Sequence, residues 1–170
     1  VMAALLLAGF GCASAPKAPE TTAEDTSWKF HSIVDTAFVQ QYAKVPVPAD
    51  TMIIDARPKR PKFDKGYIPA AISIPDSPFA KMQDQLPADK ATPLVFYCGG
   101  PTCPYTGISV EQAQKAGYTN LKGYQAGLPG WKKNKLPVHA EPGWLAKNLN
   151  EQTVILDVRD TQASSKSHIK

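Results

Sequence analysis

The chain has 170 residues, a length that suits one domain with room for extra segments. A hydrophobic share of 43% and a charged share of 20% are those of a soluble globular protein, which excludes a disordered or membrane-spanning class. Net charge is +4, but the lysines are scattered and their densest group (Lys132, Lys133, Lys135) lies beside a turn as a solvated helix end, so no nucleic-acid footprint is present.

In chain order the first feature is an apolar run from Val1 to Phe10, too short to cross a bilayer and suited to the h-region of a signal peptide. It ends in Gly11-Cys12-Ala13-Ser14, which resembles the lipobox of bacterial lipoproteins, where cleavage precedes the cysteine and that cysteine is lipidated. Gly9 stands where that family prefers Leu. The expectation is a partial signal peptide and lipobox over residues 1–12, with Cys12 as the lipidation candidate and point of membrane attachment. Plain cleavage near Ala13 or Ala15 is the alternative. Either route implies export, to the bacterial periplasm. Residues 13–27 are rich in Ala, Pro, Thr and Glu and read as a flexible linker.

From Trp28 onward strand and helix patterns alternate. Phe30 to Val34 is a short strand candidate, and Thr36 to Ala43 a helix stopped by Pro46 and Pro48. Thr51-Met-Ile-Ile-Asp55 is a continuous apolar run ending in a carboxylate, the pattern of a strand buried on both faces. A polar stretch from Pro58 to Lys65 precedes a strand over Ile72 to Ile74, and Phe79 to Leu86 reads as a helix. Pro93-Leu-Val-Phe-Tyr97 is a second buried strand, and it delivers Cys98. Pro104 to Gly117 is a helix with Pro in its first turn and Gly at its stop. Asn120 to Tyr124 is a strand and Leu128 to Asn134 a last short helix. The pattern predicts an α/β domain over residues 28–139, with a mainly parallel sheet flanked by helices on both faces. Ligands of such sheets sit at the carboxyl ends of strands, which is where Cys98 falls.

Thr51-Met-Ile-Ile-Asp55-Ala-Arg57 recurs as Thr153-Val-Ile-Leu-Asp157-Val-Arg159, and Gly66-Tyr67-Ile68-Pro69 is echoed by Ser167-His168-Ile169-Lys170 at nearly the same spacing. Residues 140–170 therefore read as the opening of a second, truncated copy of the domain.

The chemistry concentrates in Tyr97-Cys98-Gly99-Gly100-Pro101-Thr102-Cys103-Pro104. A thiol at the end of a buried strand is fixed in place. Glycines after it can turn backbone N–H groups toward one point, and a helix opening at Pro104 adds its dipole. Such surroundings lower a thiol's pKa, activating a nucleophile without a histidine base. His31, His139 and His168 are dispersed and three cysteines form no disulfide framework, so neither a metal site nor a cofactor is expected. Cys103 has two readings that remain open. It is a second thiol able to resolve a persulfide or sulfenate at Cys98 by forming a disulfide, or a small residue at the helix start.

Taken together, Ile53-Ile-Asp55-Ala-Arg57, Gly66-Tyr67-Ile68-Pro69, Val95-Phe-Tyr97-Cys98, Ala116-Gly117-Tyr118 and Gly127-Leu128-Pro129-Gly130-Trp131 resemble the rhodanese domain of sulfurtransferases, from about Phe30 to Val138. The resemblance implies that Cys98 takes a sulfane sulfur from a donor such as thiosulfate or a persulfide. The sulfur then passes to a thiol, or to cyanide in an assay. Gly99, Gly100, Pro101, Thr102 and Cys103 are the implied persulfide-holding loop, and Asp55 and Arg57 an ion pair of the scaffold. The family's frequent histidine before Ile-Pro is Tyr67 here, and the loop lacks the Arg often found in it, leaving backbone dipoles to hold an anion. Phosphatases of a related fold use a loop one residue longer closed by an Arg, and none occurs between Cys98 and Lys115. Two further readings are a thiol-disulfide redox module built on Cys98 and Cys103, and a non-catalytic binding domain.

Overall fold

The computed structural model describes residues 32–158 and 160–166. Cys12, the lipobox, the linker, and Arg159, His168 and Ile169 of the second copy lie outside the described residues. The elements are α1 (Thr36–Tyr42), β1 (Met52–Asp55), β2 (Ala71–Ser73), β3 (Leu94–Tyr97), α2 (Tyr105–Lys115), β4 (Leu121–Tyr124), α3 (Gly127–Lys133), α4 (Pro142–Asn148) and α5 (Thr161–Lys166). All strand pairings are parallel, in the order β2-β1-β3-β4. The strand expected over Phe30 to Val34 is present among the described residues as one parallel bridge, Ile33 to Gly123, on the free edge of β4.

β1 and β3 are central, and alternation sends their side chains to two different cores. Ile53, Val95 and Tyr97 meet Val39 of α1, Phe63, and Leu128 and Trp131 of α3. Ile54, Leu94 and Phe96 meet Val110 and Ala113 of α2, Phe79 and Tyr118. Neither face of these strands is left to solvent, which is why their sequences are apolar throughout. Each isoleucine so buried contributes about 1.5–3 kcal/mol.

The helix expected from Phe79 to Leu86 is instead two 3-10 turns, Phe79–Lys81 and Gln83–Gln85. Met82 between them has φ −117°, and Leu86, which precedes Pro87, is extended at ψ 152°. A residue before proline is driven out of helical conformation, so the segment is cut short from its C-terminal side.

The domain closes at an antiparallel bridge between Tyr67 and His139. Just beyond it the Glu141 amide donates to the Asp64 carbonyl at 3.0 Å, which seats α4 by the 3-10 turn Phe63–Lys65. The segment whose sequence resembles residues 51–56 follows α4. Residues 153–158 form no strand, and Val154, Leu156 and Val158 are 80%, 79% and 92% exposed.

Candidate active site

β3 ends at Tyr97, whose carbonyl accepts from the Ala56 amide at 2.9 Å and so prolongs the pairing with β1 past the strand end. The next residue is Cys98, 1% exposed. Gly100 takes φ +129°, which favours glycine. Gly99 does not share that conformation. The Cys103 amide donates to the Gly100 carbonyl at 3.0 Å, closing the turn just before α2. Pro101 has no N–H, so the loop's amide donors ahead of Cys103 are Gly99, Gly100 and Thr102. Their N–H groups have no protein acceptor among the described residues.

The back of the loop rests on the start of α3. The Leu128 amide donates to the Cys98 carbonyl at 3.1 Å. Gly127 has φ +56°, and a Cβ there would stand 2.4 Å from the Cys98 carbonyl oxygen and 2.8 Å from the Gly100 nitrogen. Only glycine permits this approach. Gly127 belongs to the motif that carries the family resemblance, but its role as the loop's backstop has no local signal, because the clash it avoids is with residues far away in the chain.

Asp55, at the end of β1, is fully buried. It accepts from Arg57 Nε at 2.9 and 3.0 Å, from Arg57 Nη2, and from the Arg57 amide at 2.9 Å. Arg57 Nη2 also donates to the Gly66 carbonyl at 2.8 Å, tying the end of β1 to the loop before β2. Burial pulls the Arg57 pKa down, but the hydrogen bond and charge of Asp55 outweigh it and leave it raised. The Tyr97 hydroxyl accepts from the Ile68 amide at 3.1 Å, and burial, then the charge of Asp55, holds its phenol well above the ordinary value. Tyr67, in the place of the family's histidine, stacks on Phe63 at 4.0 Å between ring centroids.

A cavity of about 410 Å³ opens beside the loop. Gly99, Cys103, Tyr105, Leu128 and Pro129 supply a largely apolar wall, and Arg57, Lys62 and Lys132 supply its positive charge. The two lysines were not legible as site residues. Lys132 is exposed, as a solvated helix end should be, yet it stands at the rim of this cavity, and Lys62 arrives from the polar stretch before β2. Asp55 already pairs with Arg57, so Lys62 and Lys132 are the lining cations left to meet an anion here. Among the described residues no group of His, Cys, Asp or Glu is placed to hold a metal ion.

Cys98 and Cys103 are joined by a disulfide, with a Cα–Cα distance of 6.4 Å, within the ordinary span of such bonds. In this state Cys103 is half-buried and lines the cavity, whereas Cys98 does not.

The family model of the rhodanese-like domain matches residues 31–134, a span that contains the sheet, the loop and every wall of the cavity. The chain belongs to the rhodanese-like domain family. The repeat at residues 153–158 lies outside the matched span. Among curated proteins, the HTH-type transcriptional regulator Rv0324 of Mycobacterium tuberculosis (strain ATCC 25618 / H37Rv) is 32% identical over 89 residues, covering 52% of this chain and 38% of that protein. This chain thus spans well under half of that relative. Solved structures agree on the rhodanese fold. The BH2092 protein from Bacillus halodurans is 20% identical with a TM-score of 0.57, covering 80% of this chain and 90% of that one. The rhodanese-like domain of the Alr3790 protein from Anabaena sp. is 17% identical with a TM-score of 0.55, covering 77% and 96%. Thiosulfate sulfurtransferase from Pseudomonas aeruginosa is 21% identical with a TM-score of 0.53, covering 64% of this chain and 20% of that one.

Proposed function

We propose that the chain is a sulfurtransferase that moves a sulfane sulfur from an anionic donor to a thiophilic acceptor through a persulfide on Cys98. The observation that carries this reading is the placement of Cys98 at the carboxyl end of the central strand β3, on a loop with uncommitted amides beside a cavity edged by Lys62, Lys132 and Arg57. Positive potential and N–H donors stabilise a thiolate, so no general base is required. The Cys98 thiolate attacks the sulfane sulfur. The bond from that sulfur to the donor breaks, and the donor residue leaves with its electron pair, as sulfite from thiosulfate. A thiolate acceptor then attacks the outer sulfur and regenerates the Cys98 thiolate; cyanide plays that part in an assay.

The cavity suits a donor with a carbon body better than bare thiosulfate, because its volume falls in the range of small organic ligands and its wall is largely apolar. We extend the reading to an exported, lipid-anchored protein held through Cys12, with residues 140–170 beginning a second copy of the domain. The test is peptide mass after reduction and exposure to donor. With Cys103 replaced by Ser, so that no second thiol can remove the sulfur, the tryptic peptide Ala91 to Lys115 gains about 32 Da, one sulfur, and does so faster with benzenethiosulfonate than with thiosulfate. Cys98→Ser abolishes the gain. A Cys98→Ser protein that transfers sulfur as well as the parent would sink the proposal and leave the non-catalytic reading.

A further inference from the structure

We propose that Cys103 is the first acceptor of the sulfur loaded on Cys98, so that the site reduces sulfane sulfur to hydrosulfide. This rests on the sulfurtransferase reading above and specifies where its sulfur goes. The Cys103 thiolate attacks the inner sulfur of the Cys98 persulfide. A bond forms between the two cysteine sulfurs, the bond to the outer sulfur breaks, and that sulfur departs as hydrosulfide with the electron pair. The two cysteines are oxidised to a disulfide, and the sulfane sulfur is reduced. An external dithiol, the reductant this cycle requires, then attacks Cys103, expels the Cys98 thiolate, and leaves as its own cyclic disulfide.

Two observations support that order of events. First, the product of the resolving step is the bond present in the structure, at a Cα–Cα distance of 6.4 Å, within the ordinary span of such bonds. Cys103 is held for the attack by its amide's hydrogen bond to the Gly100 carbonyl at 3.0 Å and by the helix that opens after Pro104. A nucleophile so positioned competes well with dissolved thiols, since effective molarities of fixed groups far exceed cellular thiol concentrations. Second, access to the two sulfurs differs. Cys98 is 1% exposed and off the cavity lining, whereas Cys103 lines the cavity, so an incoming dithiol meets Cys103 first and Cys98 is the leaving group. A persulfide and the disulfide both use the Cys98 sulfur, so the two states exclude each other.

The experiment uses the full chain, reduced and freed of reductant under anaerobic conditions, with one equivalent of benzenethiosulfonate and no added thiol. The parent protein is expected to release about one equivalent of hydrosulfide and to yield an Ala91 to Lys115 peptide about 2 Da lighter than the dithiol form. Cys103→Ser and Cys103→Ala are both expected to keep the sulfur, about 32 Da heavier, with hydrosulfide below a tenth of the parent's. Equal persulfide retention in all three proteins, with Cys103 of the parent still open to alkylation, overturns the relay alone. Failure of every protein to gain or pass on sulfur overturns the sulfurtransferase reading and the relay together.

Discussion

Two stretches of this chain have similar apolar sequences and different structures. Thr51-Met-Ile-Ile-Asp55-Ala-Arg57 contains the strand next to the middle of a parallel sheet, whereas residues 153–158, starting Thr153-Val-Ile-Leu-Asp157, form no strand. Ile54 is fully buried, and Leu156, its counterpart, is 79% exposed. The apolar run is a capacity for strand formation that only neighbours convert into a strand. β1 has β2 on one side and β3 on the other, with Val110 and Phe79 among the residues packed on the Ile54 face. Among the described residues no strand pairs with residues 153–158, and Val154, Leu156 and Val158 are largely exposed. At the end of β1, Asp55 and Arg57 lock onto each other, and Arg57 also ties onto the loop at Gly66.

That lock should give the largest effect. Asp55→Asn leaves the guanidinium of Arg57 buried beside a neutral partner, and the expected loss is about 3–5 kcal/mol in urea unfolding. The double variant with Arg57→Met should recover part of that loss, because no uncompensated charge then remains inside. A double variant as unstable as the sum of its parts would show that the pair does not act as a unit.

Next in size is the comparison of matched apolar positions. Ile54→Ala should cost about 2–5 kcal/mol by lost burial and the cavity left behind. Leu156→Ala at the corresponding place should change stability by less than about 0.5 kcal/mol. A Leu156→Ala penalty comparable to that of Ile54→Ala would mean that the second copy is packed in solution, and the contrast would fail.

The same contrast explains what could be read from the residues alone. β1, β3 and β4, the helix after Pro104 and the position of Cys98 were legible because each is encoded locally, by an apolar run, a capping proline or a glycine-rich turn. The segment Phe79 to Leu86 was misread as one helix because the breaks at Met82 and before Pro87 are conformational and its apolar spacing resembles that of a helix. Lys62 and Lys132 could not be assigned to the site, since their shared cavity is made by the fold bringing the stretch before β2 against α3. The Cys98–Cys103 pairing was one of two open readings, and spacing alone does not decide whether two thiols in a loop face each other.

Two glycines extend the comparison to function. Gly127→Ala forces a Cβ against the Cys98 carbonyl and the Gly100 nitrogen, so the loop or α3 must shift. A displacement of that kind misplaces the nucleophile, and the sulfur-loading rate should fall about a hundredfold. Gly143→Ala, in α4, meets no atom within 4 Å and should leave the loading rate unchanged. Wild-type loading by Gly127→Ala would show that α3 does not brace the nucleophile.

The smallest effect is expected at alkaline pH, and it reports on the buried end of β3. Tyr97 has its phenol pushed well above the ordinary value of 10.0 by burial and then by Asp55. Below pH 10 the folded and unfolded chains both keep this proton, so Tyr97 adds no pH dependence there. Above it the unfolded chain releases the proton while the folded chain retains it, so stability falls as pH rises, until the folded phenol itself ionises. Tyr67 and Tyr124, also raised by burial first, act with the same sign and more weakly. Tyr97→Phe should therefore make the decline from about pH 10 upward shallower without removing it, alongside a pH-independent loss of about 1–3 kcal/mol from the orphaned Ile68 amide. Urea midpoints from about pH 8 to about pH 11 measure both. Leu156→Ala, at an exposed position away from these phenols, should leave the slope as it is in the parent.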